Sequence, residues 1–302
     1  MTSAPIALFV YNRPAHTRRA VEALQRNRRA AATDLFIYSD APKKPEAAAS
    51  VQAVRDYICT VGGFRTVTLV ERAENQGLAR SIIDGVTRLC AEHGRVIVLE
   101  DDLETSPHFL EYMNTALKRY EADERVMQIA GYMFSGPLEI DDDALLLPFI
   151  TSWGWATWQR SWRHFDANAA GYGRLQASRE LRRRFDLDGH YNYFRMLRAQ
   201  QEGRIDSWAI RWYLSVFLRN GLALYPRKTL VRNLGLDGSG VNCAVSDIVQ
   251  DDVEDSFRVE RLPTSIDVSP DAGQVFRNMP VARLSLTAIR NRLAAVFGGQ
   301  RL

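Results

Sequence analysis

The sequence predicts an α/β protein: a mostly parallel sheet with helices on both faces, followed by a tryptophan-rich second half. Three observations predict it. Short runs rich in Val, Ile and Leu alternate with longer segments of helical periodicity through the first 130 residues, the pattern of strand–helix–strand units. Several of the apolar runs end in acids or turn residues, as strands entering a ligand-side edge do. All six tryptophans fall between Trp153 and Trp212, where the texture of the chain changes.

The elements follow in order. "IALFVY" (6–11) reads as a first strand, and "RPAHTRRAVEALQRN" (13–27) as a helix with Pro14 near its start, where a missing N–H does no harm. "DLFIYSD" (34–40) is a second strand ending in an acid, followed by an Ala-rich helix at about 45–61 and a strand "TVTLV" (66–70). In "GLARSIIDGVTRLCAEHG" (77–94), Ile82, Ile83, Val86 and Leu89 recur at helical spacing and Gly94 ends the run. "VIVL" (96–99) is a buried strand that runs straight into Glu100, Asp101 and Asp102. Ser106 and Pro107 predict the cap and first turn of the next helix, with Phe109, Leu110, Met113 and Leu117 on one face. "VMQIAGY" (126–132) reads as another strand.

The organisation is a strand–helix half at 1–143, a tryptophan-rich half of the same domain at 144–253, and a C-terminal extension at 254–302. In that extension Val281, Leu284, Ala288, Leu293 and Phe297 lie near helical spacing, among Arg283, Arg290, Arg292 and Arg301 and no acids. Such a basic amphipathic segment either lies on an anionic membrane surface or docks on the protein itself.

Composition narrows the classes. The chain has 302 residues, 46% apolar and 25% charged, enough for a sizeable core. A net charge of +3 does not call for nucleic acid. Cys59, Cys90 and Cys243 are far apart with no metal spacing, and the N-terminus lacks signal-peptide features, so a cytoplasmic location is expected. His16, His93, His108, His164 and His190 have no ligand spacing and read as structural or surface residues. No GxGxxG follows the first strand and no GxxxxGK[ST] exists, which disfavours a dinucleotide cradle and excludes a P-loop.

From the residues alone, Glu100, Asp101 and Asp102 are either solvated loop acids or a cation site. Adjacent carboxylates repel one another and need a cation or solvent. At a strand end, hard oxygen ligands suit Mn²⁺ or Mg²⁺. "FVYNRPAHTRRAVEAL", "LFIYSDAPK", "VIVLEDDLETSPHFLEYM", "SWGWATWQRSW", "IDSWAIRW" and "LYPRKTLVRNLGLDGSGVNC" together cover roughly residues 9–243. In this order they resemble the metal-dependent nucleotide-sugar glycosyltransferases of the GT-A fold, in particular bacterial family-two-like enzymes and the N-acetylglucosaminyltransferase I group. The resemblance implies a sugar moved with inversion from a nucleoside diphosphate sugar (UDP-linked, UDP-GlcNAc in the second group) to a glycan or lipid-linked glycan acceptor.

It also implies residue roles. The half at 1–143 binds the nucleotide sugar and the half at 144–253 the acceptor. Asp102 holds the metal, with Asp101 supporting the sugar or ribose and Glu100 as a neighbour. Tyr11, Arg13, Asp40, Asn75, Gly77 and Leu78 line the nucleotide pocket; Asp40 faces the nucleoside, or else is a turn residue. Trp153 or Trp155 stacks on a sugar, while the other tryptophans build core. Gly238 and Ser239, in a glycine-rich loop, fold over the diphosphate. Asp206 is the candidate base, or else the cap of the helix that follows. The chain departs from the pattern at Ala209, where some relatives carry an acid, and at Asn242, where similar sequences carry His. A catalytically silent sugar- or nucleotide-binding module therefore stays open. A Mg²⁺-dependent phosphotransferase is disfavoured by Asn12 and Arg13 where an acid would be needed.

Overall fold

The computed structural model describes residues 3–237 and 250–279. Gly238, Ser239, Asn242, Cys243 and the amphipathic segment at 281–302 lie outside the described residues. Among the described residues ten strands and ten α-helices follow one another. The first half holds β1 (Ile6–Val10), α1 (Pro14–Gln25), β2 (Asp34–Ser39), α2 (Ala48–Ile58), β3 (Thr66–Glu71), α3 (Leu78–His93), β4 (Arg95–Glu100), β5 (Leu103–Thr105), α4 (Phe109–Arg119) and β6 (Val126–Ala130). The rest holds β7 (Ala144–Leu147), β8 (Trp155–Trp158), α5 (Gln159–Trp162), α6 (Tyr172–Ala177), α7 (Arg179–Phe185), α8 (Tyr193–Gln201), α9 (Trp208–Phe217), β9 (Leu222–Pro226), β10 (Val231–Asn233) and α10 (Ala272–Asn278).

Eight strands form one sheet in the order β3-β2-β1-β4-β8-β6-β9-β7, while β10 and β5 form a separate antiparallel pair. Strands β3, β2, β1 and β4 are mutually parallel, so their C-terminal ends share one edge. Strand β8 enters antiparallel between β4 and β6.

The pleat explains the two cores. Alternate residues point to opposite faces. Ile6, Leu8 and Val10, with Leu35, Ile37, Ile97 and Leu99, meet α1, α2 and α4 through Val21, Leu24, Val54, Phe109 and Leu117. Ala7, Phe9, Tyr38, Val96 and Val98 face the other way, onto Ile82, Val86 and Leu89 of α3 and onto Trp155, Trp162, Trp208 and Trp212. Each large apolar side chain so buried contributes about 1.5–3 kcal/mol. Parallel strands covered on both faces read as continuous apolar runs, which is why "IALFV" and "VIVL" show no alternation.

The structure corrects four details. Helix α4 begins at Phe109 with His108 at its cap position, not at Ser106 and Pro107; the Ser106 hydroxyl instead accepts the His108 N–H at 3.2 Å in the preceding turn. The three-residue β5, directly after the acids, is too short to show a period. The "WGW" segment leads into β8, an internal strand of the sheet. Finally, residues 254–279 of the polar C-terminal extension pack on the rest of the fold. The buried Asp143 carboxylate accepts the N–H groups of Glu260 and Arg261 at 3.1 and 2.9 Å, Tyr120 donates to the Pro263 carbonyl at 2.8 Å, and Phe257, Val275 and Met279 are buried.

Candidate functional site: the acid pair at the end of β4

Strand β1 pairs with β2 on one side and β4 on the other, so the segments leaving their C-terminal ends converge. From β1 come Tyr11 and Arg13, from β2 Asp40, and from β4 Glu100, Asp101 and Asp102. The fold thus brings the first-half candidates to one edge, the edge where open α/β sheets bind ligands.

Asp101 and Asp102 are 3% and 8% exposed. Two carboxylates cannot stay buried and ionised without compensation. Arg13 supplies it. Its Nη2 donates to Asp101 and, at 3.0 Å, to Asp102. Its Nη1 is buried and has no hydrogen-bond partner among the described residues. Arg13 stands at the cap position of α1, where its carbonyl accepts both the N–H and the hydroxyl of Thr17 at 2.9 Å, so its backbone is fixed. The Tyr11 N–H makes a long 3.4 Å contact to Asp101, and the Tyr11 hydroxyl accepts the Lys43 N–H at 2.9 Å.

The electrostatics follow from burial. Burial pushes the Asp101 carboxyl up to about 6, with Arg13 pulling it down and Asp102 adding to the rise. Burial raises Glu100 well above the ordinary carboxyl range, and the charges of Asp102 and Asp101 add to it. Burial alone would weaken the Arg13 charge, but the two aspartates outweigh it and hold that charge more firmly than in water. This edge therefore stores negative charge that a single guanidinium balances incompletely.

Gly235 closes over the pair. The Leu234 N–H donates to the Asp102 carbonyl at 2.8 Å, and a Cβ placed on Gly235 would collide with the Asp102 carboxylate and approach Arg13 Nη1 to 3.1 Å. Gly238 and Ser239 of this loop lie outside the described residues; among the described residues it is the first glycine of "GLDGSG" that stands against the acids. Nothing in the spacing of the three glycines distinguishes it.

The residues present fit a hard divalent cation. Asp101 and Asp102 offer carboxylate oxygens, beside a notch that only glycine leaves open and an unpaired donor. Among the described residues no three His, Cys, Asp or Glu side chains converge as a metal site. A cation here would take the rest of its shell from a ligand, as Mg²⁺ does when one or two carboxylates and substrate phosphates hold it.

Asp40 is buried and its oxygens are heavily used. They accept the N–H groups of Ala41, Gln76 and Gly77 at 2.8–2.9 Å and the Asn75 amide at 3.0 Å. Asp40 and Asn75 therefore tie the end of β2 to the loop before α3. Gly77, with φ +74°, turns that loop into the helix, and Leu78 stands exposed at its first position.

The two tryptophans of "WGW" part company. Trp155 is fully buried, stacked on Trp208 with ring centroids 5.0 Å apart, which removes it as a sugar platform. Trp153 stays half-buried, edge-on to Tyr132 at 4.5 Å. Gly154 between them has φ +64°, and a Cβ there would come within 2.8 Å of Val231. The glycine serves the turn and the packing beneath it. Asp206 is exposed and paired with Arg211 at 2.7 Å; the helix cap is Ser207, which accepts the Ile210 N–H. Ala209 is half-buried against the core.

No protein-family model and no curated protein matches the chain. Many solved structures align with part of it, among them the following two. One is a mannosyltransferase, PcManGT from Pyrobaculum calidifontis, in complex with GDP-Man and Mn²⁺; it is 14% identical, the alignment covers 52% of this chain and 45% of that one, and the TM-score is 0.35. The other is S. aureus TarS, 12% identical over 49% of this chain and 25% of that one, with a TM-score of 0.32.

Proposed function

We propose that the chain is an inverting, metal-dependent glycosyltransferase of the GT-A type, using a nucleoside diphosphate sugar as donor and a glycan or glycoconjugate hydroxyl as acceptor. The observation that carries the reading is the buried Asp101–Asp102 pair at the end of β4, bridged by one arginine at the edge where β1, β2 and β4 end. The sequence resemblance adds the donor class, a uridine diphosphate sugar with N-acetylglucosamine as the first sugar to try.

Asp102, with Asp101 beside it, would hold Mn²⁺ or Mg²⁺. A cation there offsets the charge that develops on the departing diphosphate. The loop fastened by Asp40 and Asn75 forms the nucleoside side, with Tyr11 and Leu78 as its available apolar surfaces. Trp153 offers an aromatic face to a pyranose. The acceptor hydroxyl attacks the anomeric carbon opposite the breaking bond to the diphosphate oxygen, and a carboxylate takes the hydroxyl proton as the new bond forms. Asp206 is the proposed base, because it stands exposed just before α9, two residues from the Trp208 that stacks on Trp155.

The ion pair between Asp206 and Arg211 also favours a second reading, a sugar-nucleotide-binding module without turnover. Nucleotide release from a panel of nucleotide sugars, with and without glycan acceptors and Mn²⁺, separates the two. Acceptor-dependent release that falls about 10²–10⁴-fold in Asp206→Asn, with donor affinity unchanged, is the expected result. Binding with no release in any combination leaves the module reading.

A further inference from the structure

The Arg13 guanidinium occupies the place between two carboxylates that a cation would occupy. The manner of its binding is unusual. A guanidinium normally meets carboxylates through parallel pairs of N–H bonds. Here one nitrogen, Nη2, serves both Asp101 and Asp102, and Nη1 is left buried beside Gly235 with no partner among the described residues. A buried N–H without a partner is unfavourable, more so on a charged group. The side chain is 16% exposed, and the backbone behind it is held by Thr17. Arg13 is thus anchored at its base, with unused donor capacity at its tip, next to the acid that is to hold a cation.

A bare divalent cation approaching Asp102 meets a positive charge already bound there. A nucleoside diphosphate approaching alone meets two carboxylates that repel it. Arriving together they remove both obstacles, because the diphosphate supplies oxygens to the unpaired Nη1 and the cation replaces Nη2 at Asp102. We infer that Arg13 is a positioning residue that makes cation binding and nucleoside diphosphate binding depend on one another. It offsets part of the charge of the acid pair while the site is empty and transfers to the diphosphate when the cation takes Asp102. The inference rests on the glycosyltransferase reading of this edge. By thermodynamic reciprocity, each ligand must tighten the other by the same factor.

The experiment measures four dissociation constants on the full chain by calorimetry: Mn²⁺ with and without uridine diphosphate, and uridine diphosphate with and without Mn²⁺. The wild type is expected to bind Mn²⁺ alone weakly and at least about 10-fold more tightly with the nucleotide present, with the same factor in the reverse direction. Arg13→Gln removes the competing charge. Mn²⁺ alone is then expected to bind about 10-fold more tightly than to wild type, and the coupling to fall towards one. Arg13→Lys keeps a charge against the acids but has no second nitrogen for the diphosphate. Its bare-cation binding should stay weak while the coupling falls, which tests the inference even if Arg13→Gln fails to fold. Wild-type coupling in whichever of the two variants folds, or independent binding of both ligands by the wild type, overturns the role of Arg13 and leaves the glycosyltransferase reading standing. If neither Mn²⁺ nor uridine, guanosine or thymidine diphosphate binds the wild type, both fall.

Discussion

Asp102 and its neighbours decide how the site responds to pH and to metal. Asp101 is raised to about 6 and Glu100 is raised further from its ordinary range, both chiefly by burial. An acid whose folded-state pKa lies above its unfolded value favours the folded chain while protonated. That contribution is present below about pH 4, the ordinary carboxyl range, and is lost as pH rises through about 6 for Asp101 and about 8 for Glu100. Without cation, the melting temperature is therefore expected to carry a declining component between about pH 4.5 and 8. Stabilisation by Mn²⁺ with nucleotide should grow over the same window, because the cation binds the deprotonated carboxylates. A melt series at fixed ionic strength checks both slopes. Asp34 acts in the opposite sense: its hydrogen bond from Arg65 outweighs burial and lowers it, so its contribution fades only at more acid pH. Asp102→Asn keeps the size of the side chain and removes its charge. It is expected to fold and to lose the Mn²⁺-dependent part of nucleotide stabilisation, which in the wild type reaches about 2.7 kcal/mol at 100 times the dissociation constant. Full retention of that increment would remove Asp102 from the metal site.

At the scale of the element, β4 and its surroundings were readable in the sequence because burial on both faces leaves a run of four aliphatic residues and the charge begins abruptly after it. Strand β8 was hidden. "WATW" carries two tryptophans and no aliphatic run, and its place between β4 and β6 follows from pairing with Val98 and Ile129, which no local pattern reveals. The tryptophan side chains were read correctly as mostly core, and Gly154 lies among them. Its φ and its closeness to Val231 give it a structural task. Gly154→Ala is expected to destabilise the chain by about 1–3 kcal/mol, seen as a lower urea midpoint at unchanged slope. A neutral effect would mean the turn relaxes at no cost. Asp206 was legible as an acid before a helix, but its partner Arg211 was not, since an ion pair across the first helical turn depends on side-chain direction. The first-half site fared better. Asp40, Arg13 and the acid triplet each end or follow a strand, and parallel pairing alone brings them together.

At the scale of the whole molecule, the division at residue 143 separates nothing mechanically. Strands from before it and after it interleave in one sheet, and residues 257–279 return to pack under both. One unfolding transition is therefore expected. Tryptophan fluorescence reports only the second half, because every tryptophan lies at 153–212, and far-ultraviolet circular dichroism reports the whole. Coincident urea midpoints from the two signals are the expected result; separated midpoints would mark independent halves. The insertion of β8 also has a bearing on how the chain is made. Val98 pairs with Trp155, and β5 pairs with β10, whose Val231 lies opposite Thr105. The acids between these strands are held from both sides by chain synthesised long after them. At about 5–20 residues per second, several seconds or more separate the emergence of Asp102 from that of Gly235. A ribosome-bound chain ending at the tryptophan cluster would carry the acids without the cover that completes their site, and contacts so distant in sequence close slowly. The nascent protein thus acquires its charge-handling edge among the last features of folding.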